Sequence, residues 1–188
     1  MRIVSGKFRG KGLSTPPGQG TRPTSDRARQ AVFNILEHAE WSPGLHERRV
    51  IDLFAGSGAL GLEAMSRGAA FCLFVETDEA ARGAIRDNVE AMGLFGVTRV
   101  HRRDATDLGV RPGSAGPAFD LAFLDPPYRK GLGERALAKL AEGGWLEPGA
   151  IVMLERASDE ADPELPGYER LDARDYGAAR VFFLRYAG

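Results

Sequence analysis

The sequence predicts an α/β fold: a mostly parallel, seven-stranded sheet with helices on both faces, closed by an antiparallel hairpin and preceded by a small N-terminal β-hairpin. Three observations carry this. Val50-Ile51-Asp52-Leu53-Phe54 is nearly all apolar and reads as a buried strand, and Ala55-Gly56-Ser57-Gly58 runs from it straight into the helical pattern of Leu60, Ala64 and Met65. Strand-like and helix-like segments alternate from there to residue 154, which is the pattern of a parallel sheet with crossover helices. The last two strand patterns, 168–173 and 180–185, are joined through Tyr176-Gly177, which is a hairpin signal.

The elements follow in order. Ile3, Val4, Phe8 and Leu13 among Gly6, Gly10 and Gly12 read as a short hairpin, with a loop through Thr15-Pro16-Pro17-Gly18. Thr24 or Ser25 caps a helix whose apolar face is Ala28, Val32, Ile35, Leu36 and Ala39, and Ser42-Pro43-Gly44 ends it. After the central strand come a strand at 71–75, a helix from Asp78 to about Met92, and a short strand at 99–102. A Gly/Pro-rich loop leads to a strand at 119–124, a helix near 134–142, a turn at Glu147-Pro148-Gly149 and a strand at 150–154. The division this suggests is a basic extension over residues 1–22 and a body over 23–188.

Composition narrows the function classes. At 188 residues and 43% hydrophobic content the chain can bury one sizeable core. No apolar run is long enough to cross a bilayer, and the N-terminus lacks the apolar stretch of a signal peptide, which predicts a cytoplasmic protein. The single cysteine, Cys72, lies in an apolar strand and is expected to be buried. His38, His46 and His101 are scattered, so no metal site is expected, and nothing in the sequence demands more than a monomer. Net charge is −1, yet residues 1–30 hold Arg2, Lys7, Arg9, Lys11, Arg22, Arg27 and Arg29 against the single acid Asp26. A basic extension on an acidic body suits contact with a polyanion, with a solvated or disordered tail as the other reading of the same charge pattern.

Polar landmarks recur at the carboxyl ends of successive strands, where ligands bind in such sheets: the Gly56–Gly58 turn, Glu76, Asp104 and Asp125. Glu76 follows the turn by about 20 residues, the usual place for a carboxylate that accepts ribose hydroxyls. Glycines and Glu76 alone would also suit an NAD-dependent oxidoreductase. Asp125-Pro126-Pro127-Tyr128 argues otherwise. Two prolines stiffen the backbone and remove two N–H donors. What remains is the Asp125 carboxylate and the Pro126 carbonyl beside an aromatic face. That set accepts both hydrogens of an exocyclic amine while its base stacks on Tyr128. A base inside a helix cannot reach such a pocket, so it must be single-stranded or flipped out.

At these residues the chain resembles the Rossmann-like class I S-adenosylmethionine-dependent methyltransferases. Within them it is similar to the bacterial 16S ribosomal RNA guanine-N2 methyltransferases of the RsmD type, which modify guanine 966. The resemblance runs through Arg2–Gly6, Arg9-Gly10-Lys11, Arg22–Arg27, Phe33–Leu36, Asp52–Ala64, Phe74-Val75-Glu76, Asp125–Tyr128 and Tyr176-Gly177. It implies that S-adenosylmethionine lies against Asp52, Phe54, Ala55, Gly56, Ser57 and Gly58, with Glu76 and Thr77 at its ribose and Asp104 and Ala105 at its adenine. Asp125, Pro126 and Tyr128 would be catalytic, holding the guanine amine. Lys7, Arg9, Lys11, Arg22, Arg27 and Arg129 would contact RNA in the small ribosomal subunit or its assembly intermediate. A DNA or other RNA amino-methyltransferase (adenine N6 or cytosine N4) shares the proline motif and is the main alternative. A separate target-recognition region would be needed for that, and the chain has little room for one.

Overall fold

A computed structural model describes residues 1–17 and 25–188. Arg22 and Thr24, and the expected boundary between extension and body, lie outside the described residues. The elements are α1 (Asp26–His38), β1 (Arg49–Leu53), α2 (Ala59–Ser66), β2 (Phe71–Val75), α3 (Glu79–Met92) and β3 (Thr98–His101). They continue with β4 (Phe119–Leu124), α4 (Leu132–Glu142), β5 (Leu146–Ala157), β6 (Tyr168–Tyr176) and β7 (Ala179–Tyr186). The strands form one seven-stranded sheet in the order β3-β2-β1-β4-β5-β7-β6. β1 through β5 are parallel, and β7 runs antiparallel to both of its neighbours. Strand order therefore reverses between β1 and β4, which opens a crevice at their carboxyl ends.

The pleat sorts the core into two layers. Val50, Cys72, Phe74, Phe123, Met153 and Phe183 face α1, α2 and α3. Ile51, Leu53, Leu73, Leu124, Leu154 and Phe182 face α4, Trp145 and the loop around Leu108. Successive strand residues point to opposite faces, so every central strand must be apolar on both sides. Asp52 breaks that rule on the α2 face, and it is 1% exposed. Its Oδ2 accepts the Gly61 N–H at 3.0 Å. Gly61 is fixed by space: a Cβ there would sit 2.6 Å from both Cys72 Sγ and Phe74 Cε1. The sequence reading of Cys72 as a buried strand residue holds.

Caps and turns account for the other boundaries. Ser25 Oγ accepts the Ala28 N–H and starts α1; Asp78 does the same for α3 through Ala81. The buried face of α1 is Arg29, Val32, Phe33 and Leu36, not the expected Ala28, Ile35 and Ala39, which are half-buried. Glu147-Pro148-Gly149 is not a turn before β5 but lies within it. Phe119 pairs with Leu146 and Leu121 with Ile151, so the intervening residues bulge out of the ladder, where proline is tolerated. The last strands are longer than their patterns suggest and turn at Gly177-Ala178.

The N-terminal hairpin is short: Arg2 bridges Gly12, and the Ile3 N–H donates to the Lys11 carbonyl at 2.9 Å. It lies on α2 instead of projecting from it. Ile3 is buried, the Val4 and Ser5 amides donate to Glu63, and the Phe8 amide donates to Ser66 Oγ. A Cβ on Gly6 would fall 2.0 Å from the Ser66 carbonyl oxygen, so only glycine lets the turn dock this closely.

Candidate functional site

The crevice at the switch point holds two adjoining chambers. The larger has a volume of about 790 Å³. Of the residues singled out in the sequence, Phe54, Gly56, Glu76, Thr77, Asp104, Ala105, Asp125 and Tyr128 line it. The smaller, of about 150 Å³, takes Asp52, Ala55 and Ser57 into its wall, together with Arg29, Met153 and Glu155. Phe54, Gly56 and Asp125 belong to both. Gly58 stands behind them as the N-cap of α2, with φ 82°. Pro126 is buried with its ring beside Gly133 and lines neither chamber.

Local chemistry explains each placement. Phe54 leaves β1 at φ 56°, a left-handed conformation rare for a bulky residue and found where a site over-determines it. Glu76 directly follows β2 and binds back to the loop: Oε1 accepts the Gly56 N–H at 2.8 Å and Oε2 the Asp78 N–H at 2.9 Å. One carboxylate thus joins the glycine turn of β1 to the start of α3. Asp104 Oδ1 accepts both the Thr106 N–H and its hydroxyl. Those two bonds hold the Asp104 carboxyl below its usual range, helped by the charge of Arg135. Tyr128 donates its hydroxyl to Glu155 Oε2 at 2.6 Å.

Burial pushes the Asp52 carboxyl up to about 8, against the lowering effect of the Gly61 amide, and Glu76 adds repulsion. Asp52 therefore keeps its proton in the folded chain at pH values where an unfolded aspartate has lost it. Below about pH 4 both states hold the proton; as pH rises toward 8 only the folded state does, so stability falls across that window and levels off above it. Four units correspond to roughly 5 kcal/mol as an upper figure. Asp52→Asn keeps an acceptor for Gly61 and removes the titration. Urea unfolding of the two proteins between pH 5 and 8 should show the Asn variant gaining steadily on the wild type. Parallel profiles would mean that Asp52 is ionised.

The basic residues divide. Lys7, Arg9, Lys11 and Arg27 are exposed, and the Lys7 ammonium lies 5.4 Å from the centre of the Phe8 ring. Arg129 is exposed, lines neither chamber, and its Nη2 donates to both carboxylate oxygens of Asp159, at 2.9 and 2.8 Å. Arg29, part of the N-terminal basic surplus, is 1% exposed and bonded to Glu63, Asp26 and the Arg2 carbonyl. The stretch from residue 1 to 30 therefore offers less positive surface than its composition suggests. Sequence reading also missed Arg103, Thr106, Leu132 and Arg135 in the larger chamber and Glu155 in the smaller. Glu155 carried a signal, a polar residue directly after an apolar parallel strand, as at Glu76. Arg135 carried none, because only the packing of α4 brings it to the cleft.

Two comparisons with known proteins fix the family. The family model described as "Conserved hypothetical protein 95" matches residues 1–185. Ribosomal RNA small subunit methyltransferase D of Escherichia coli K12 is 36% identical over 186 residues, 99% of this chain and 89% of the relative. The chain belongs to the RsmD family. The Haemophilus influenzae methyltransferase D is 35% identical over 161 residues, covering 85% of this chain and 80% of its own. Solved structures agree in fold. The Escherichia coli yhhF structure superposes with a TM-score of 0.85 at 32% identity, covering 100% of this chain and 98% of the other. HI0767 of Haemophilus influenzae gives 0.80 at 27% identity over 100% and 99%. The RsmD fold is that of the class I methyltransferases, and S-adenosylmethionine is the cofactor. The acceptor-rich lining of the larger chamber, with Glu76 and Asp104 on one side and Asp125 on the other, fits a ligand bearing hydroxyl, amine and sulfonium groups. Among the described residues no helix is long and apolar enough to cross a membrane, and no cluster could hold a metal ion.

Proposed function

We propose that this RsmD-family chain transfers a methyl group from S-adenosylmethionine to the exocyclic N2 amine of a guanine in 16S rRNA, with guanine 966 as the target the family resemblance points to. The observation that carries the reading is the position of Asp125. It lines both chambers, so the acceptor for a base amine stands at the junction between a donor-sized cleft and a smaller recess. Glu76 would hold the donor's ribose, Asp104 its adenine, and the turn from Phe54 to Gly58, with Asp52, its methionine part. Bound S-adenosylmethionine supplies an electrophilic methyl on a sulfonium.

The chain's own groups then act on the base. An exocyclic amine is a poor nucleophile because its lone pair is spread into the ring. The Asp125 carboxylate and the Pro126 carbonyl accept its two hydrogens, which draws the nitrogen toward pyramidal geometry and frees the lone pair. Tyr128 stacks on the base and fixes its plane, so most of the catalysis is positioning and charge arrangement. The proton leaves after the methyl has moved, to Asp125 or to water.

Transfer of labelled methyl to small ribosomal subunits lacking the modification, followed by digestion to nucleosides, tests the reading. Label in N2-methylguanosine is expected. Label in methylated adenine or cytosine, or transfer to DNA alone, would overturn it. For the RNA interface we expect Arg9→Glu with Lys11→Glu to raise the particle KM by roughly tenfold or more. The slope of affinity against salt should also fall by about two, one for each phosphate that is no longer neutralised. An unchanged slope would remove the hairpin from the RNA interface.

A further inference from the structure

We propose that Glu155 is a positioning residue for methyl transfer: by accepting the Tyr128 hydroxyl hydrogen it fixes the plane of the ring on which the target base stacks, and so the angle at which the base amine meets Asp125. The inference rests on the functional reading above for the base and goes beyond it in assigning a residue of β5.

The backbone places the two acids side by side. β4 and β5 are parallel and in register, with Leu124 opposite Leu154. Asp125 and Glu155 are the next residues along the two chains. Leu124 and Leu154 point into the α4 layer, so the pleat turns Asp125 and Glu155 toward the opposite face, where the smaller chamber lies. Glu155 is held on its other side by pairing with Val181 of β7. It is a buried carboxylate, 3% exposed, on a strand paired on both sides.

Tyr128 has the opposite character. It follows two prolines on the loop between β4 and α4, half-buried, with its neighbour Arg129 at φ 64°. The prolines fix the backbone but not the side-chain torsions of Tyr128. A 2.6 Å bond from its hydroxyl to an acid anchored in the sheet does fix them. Hydrogen bonds of this charge-assisted kind are short and about twice as strong as neutral ones. Burying a carboxylate is costly unless it is bonded, so a purely structural role would be served as well by an apolar residue at this place. The bond transmits the rigidity of β5 to the aromatic surface beside Asp125, and reacting groups misplaced by about 1 Å can lose 10²-fold in rate.

The test is a double-mutant cycle read on single-turnover methyl transfer at saturating S-adenosylmethionine, with donor affinity measured by calorimetry. Tyr128→Phe keeps the stacking face and removes the bond; Glu155→Leu removes the acceptor from the other side; Glu155→Gln keeps an acceptor. We expect either break to slow transfer by about 10- to 100-fold with donor affinity unchanged. The Tyr128→Phe/Glu155→Leu double variant should be no slower than the worse single one, and Glu155→Gln should recover most of the rate. Multiplying losses in the double variant, or a fully active Tyr128→Phe, would overturn the proposal. So would a Glu155→Leu loss that follows its melting temperature and is not rescued by Gln. The modified nucleoside made by the wild type is identified in the same assay. A product other than N2-methylguanosine would end the functional reading, while the cycle would still report whether Glu155 acts through Tyr128.

Discussion

Asp125→Ala is expected to abolish all but about one part in 10²–10⁴ of methyl transfer, the range typical for a group that handles a proton or a developing charge in the transition state. Asp125→Asn should lie between the two. The amide keeps one acceptor oxygen for an amine hydrogen but loses the negative charge that favours positive charge building up on the attacking nitrogen. Because Asp125 also lines the larger chamber, part of any steady-state loss could come from the donor side. Single-turnover rates at saturating donor and saturating particle separate the two contributions. A rate loss that persists under saturation places the effect in the chemical step. An Asp125→Ala protein that turns over at the wild-type rate under those conditions would remove Asp125 from the mechanism, and with it the reading of the proline motif.

The placement of Asp125 is legible from sequence because the backbone around it is local. Asp52 through Gly61 is one strand, one turn and one helix start, and each residue's place follows from its neighbours. Glu76 and Asp125 each follow an apolar strand whose end is legible from composition. Arg29 and Glu63 are not legible this way, because their burial depends on partners far along the chain. For Glu155 the strand end is legible, but the bond to Tyr128, 27 residues away, is not. Arg29 looks like one more charge in a basic tail. Its burial follows from Glu63, 34 residues away, and from a hairpin that folds back over α2. Likewise the two final strands are legible, but not the insertion of β7 between β5 and β6, since either order satisfies the same alternation. The bulge at Pro148 is hidden for a related reason. Glu147-Pro148-Gly149 is a turn by composition, and only the pairing of Leu146 with Phe119 makes it part of a strand.

Glu63 is where the second large effect is expected. Its carboxylate is fully buried on α2 and accepts from the Val4 and Ser5 amides and from the Nε atoms of Arg29 and Arg67, at 2.9, 3.1, 3.3 and 2.9 Å. An ionised carboxylate offers about four acceptor positions, and the four donors use them. Glu63→Ala leaves two backbone N–H groups without their acceptor and takes one charged partner from each of two buried guanidinium groups. Arg29 then keeps Asp26 with the Arg2 carbonyl, and Arg67 keeps Glu37. The change should cost about 3–5 kcal/mol, a large share of the stability of an ordinary domain. Glu63→Gln is the sharper variant. It is the same size, but one of its two terminal atoms is a donor facing donors, so it should lose nearly as much as alanine. A Gln variant within about 1 kcal/mol of wild type in urea unfolding would show that the charge is not what holds the cluster. The effect should also be local. The Val4 and Ser5 amides are pinned by this one side chain, so their hydrogen exchange should accelerate before that of the sheet. Lys7, Arg9 and Lys11 ride on the segment those amides anchor. A partly folded Glu63→Gln protein should therefore bind the donor normally and the ribosomal particle poorly, which ties the buried acid of α2 to the exposed cations of the N-terminal hairpin.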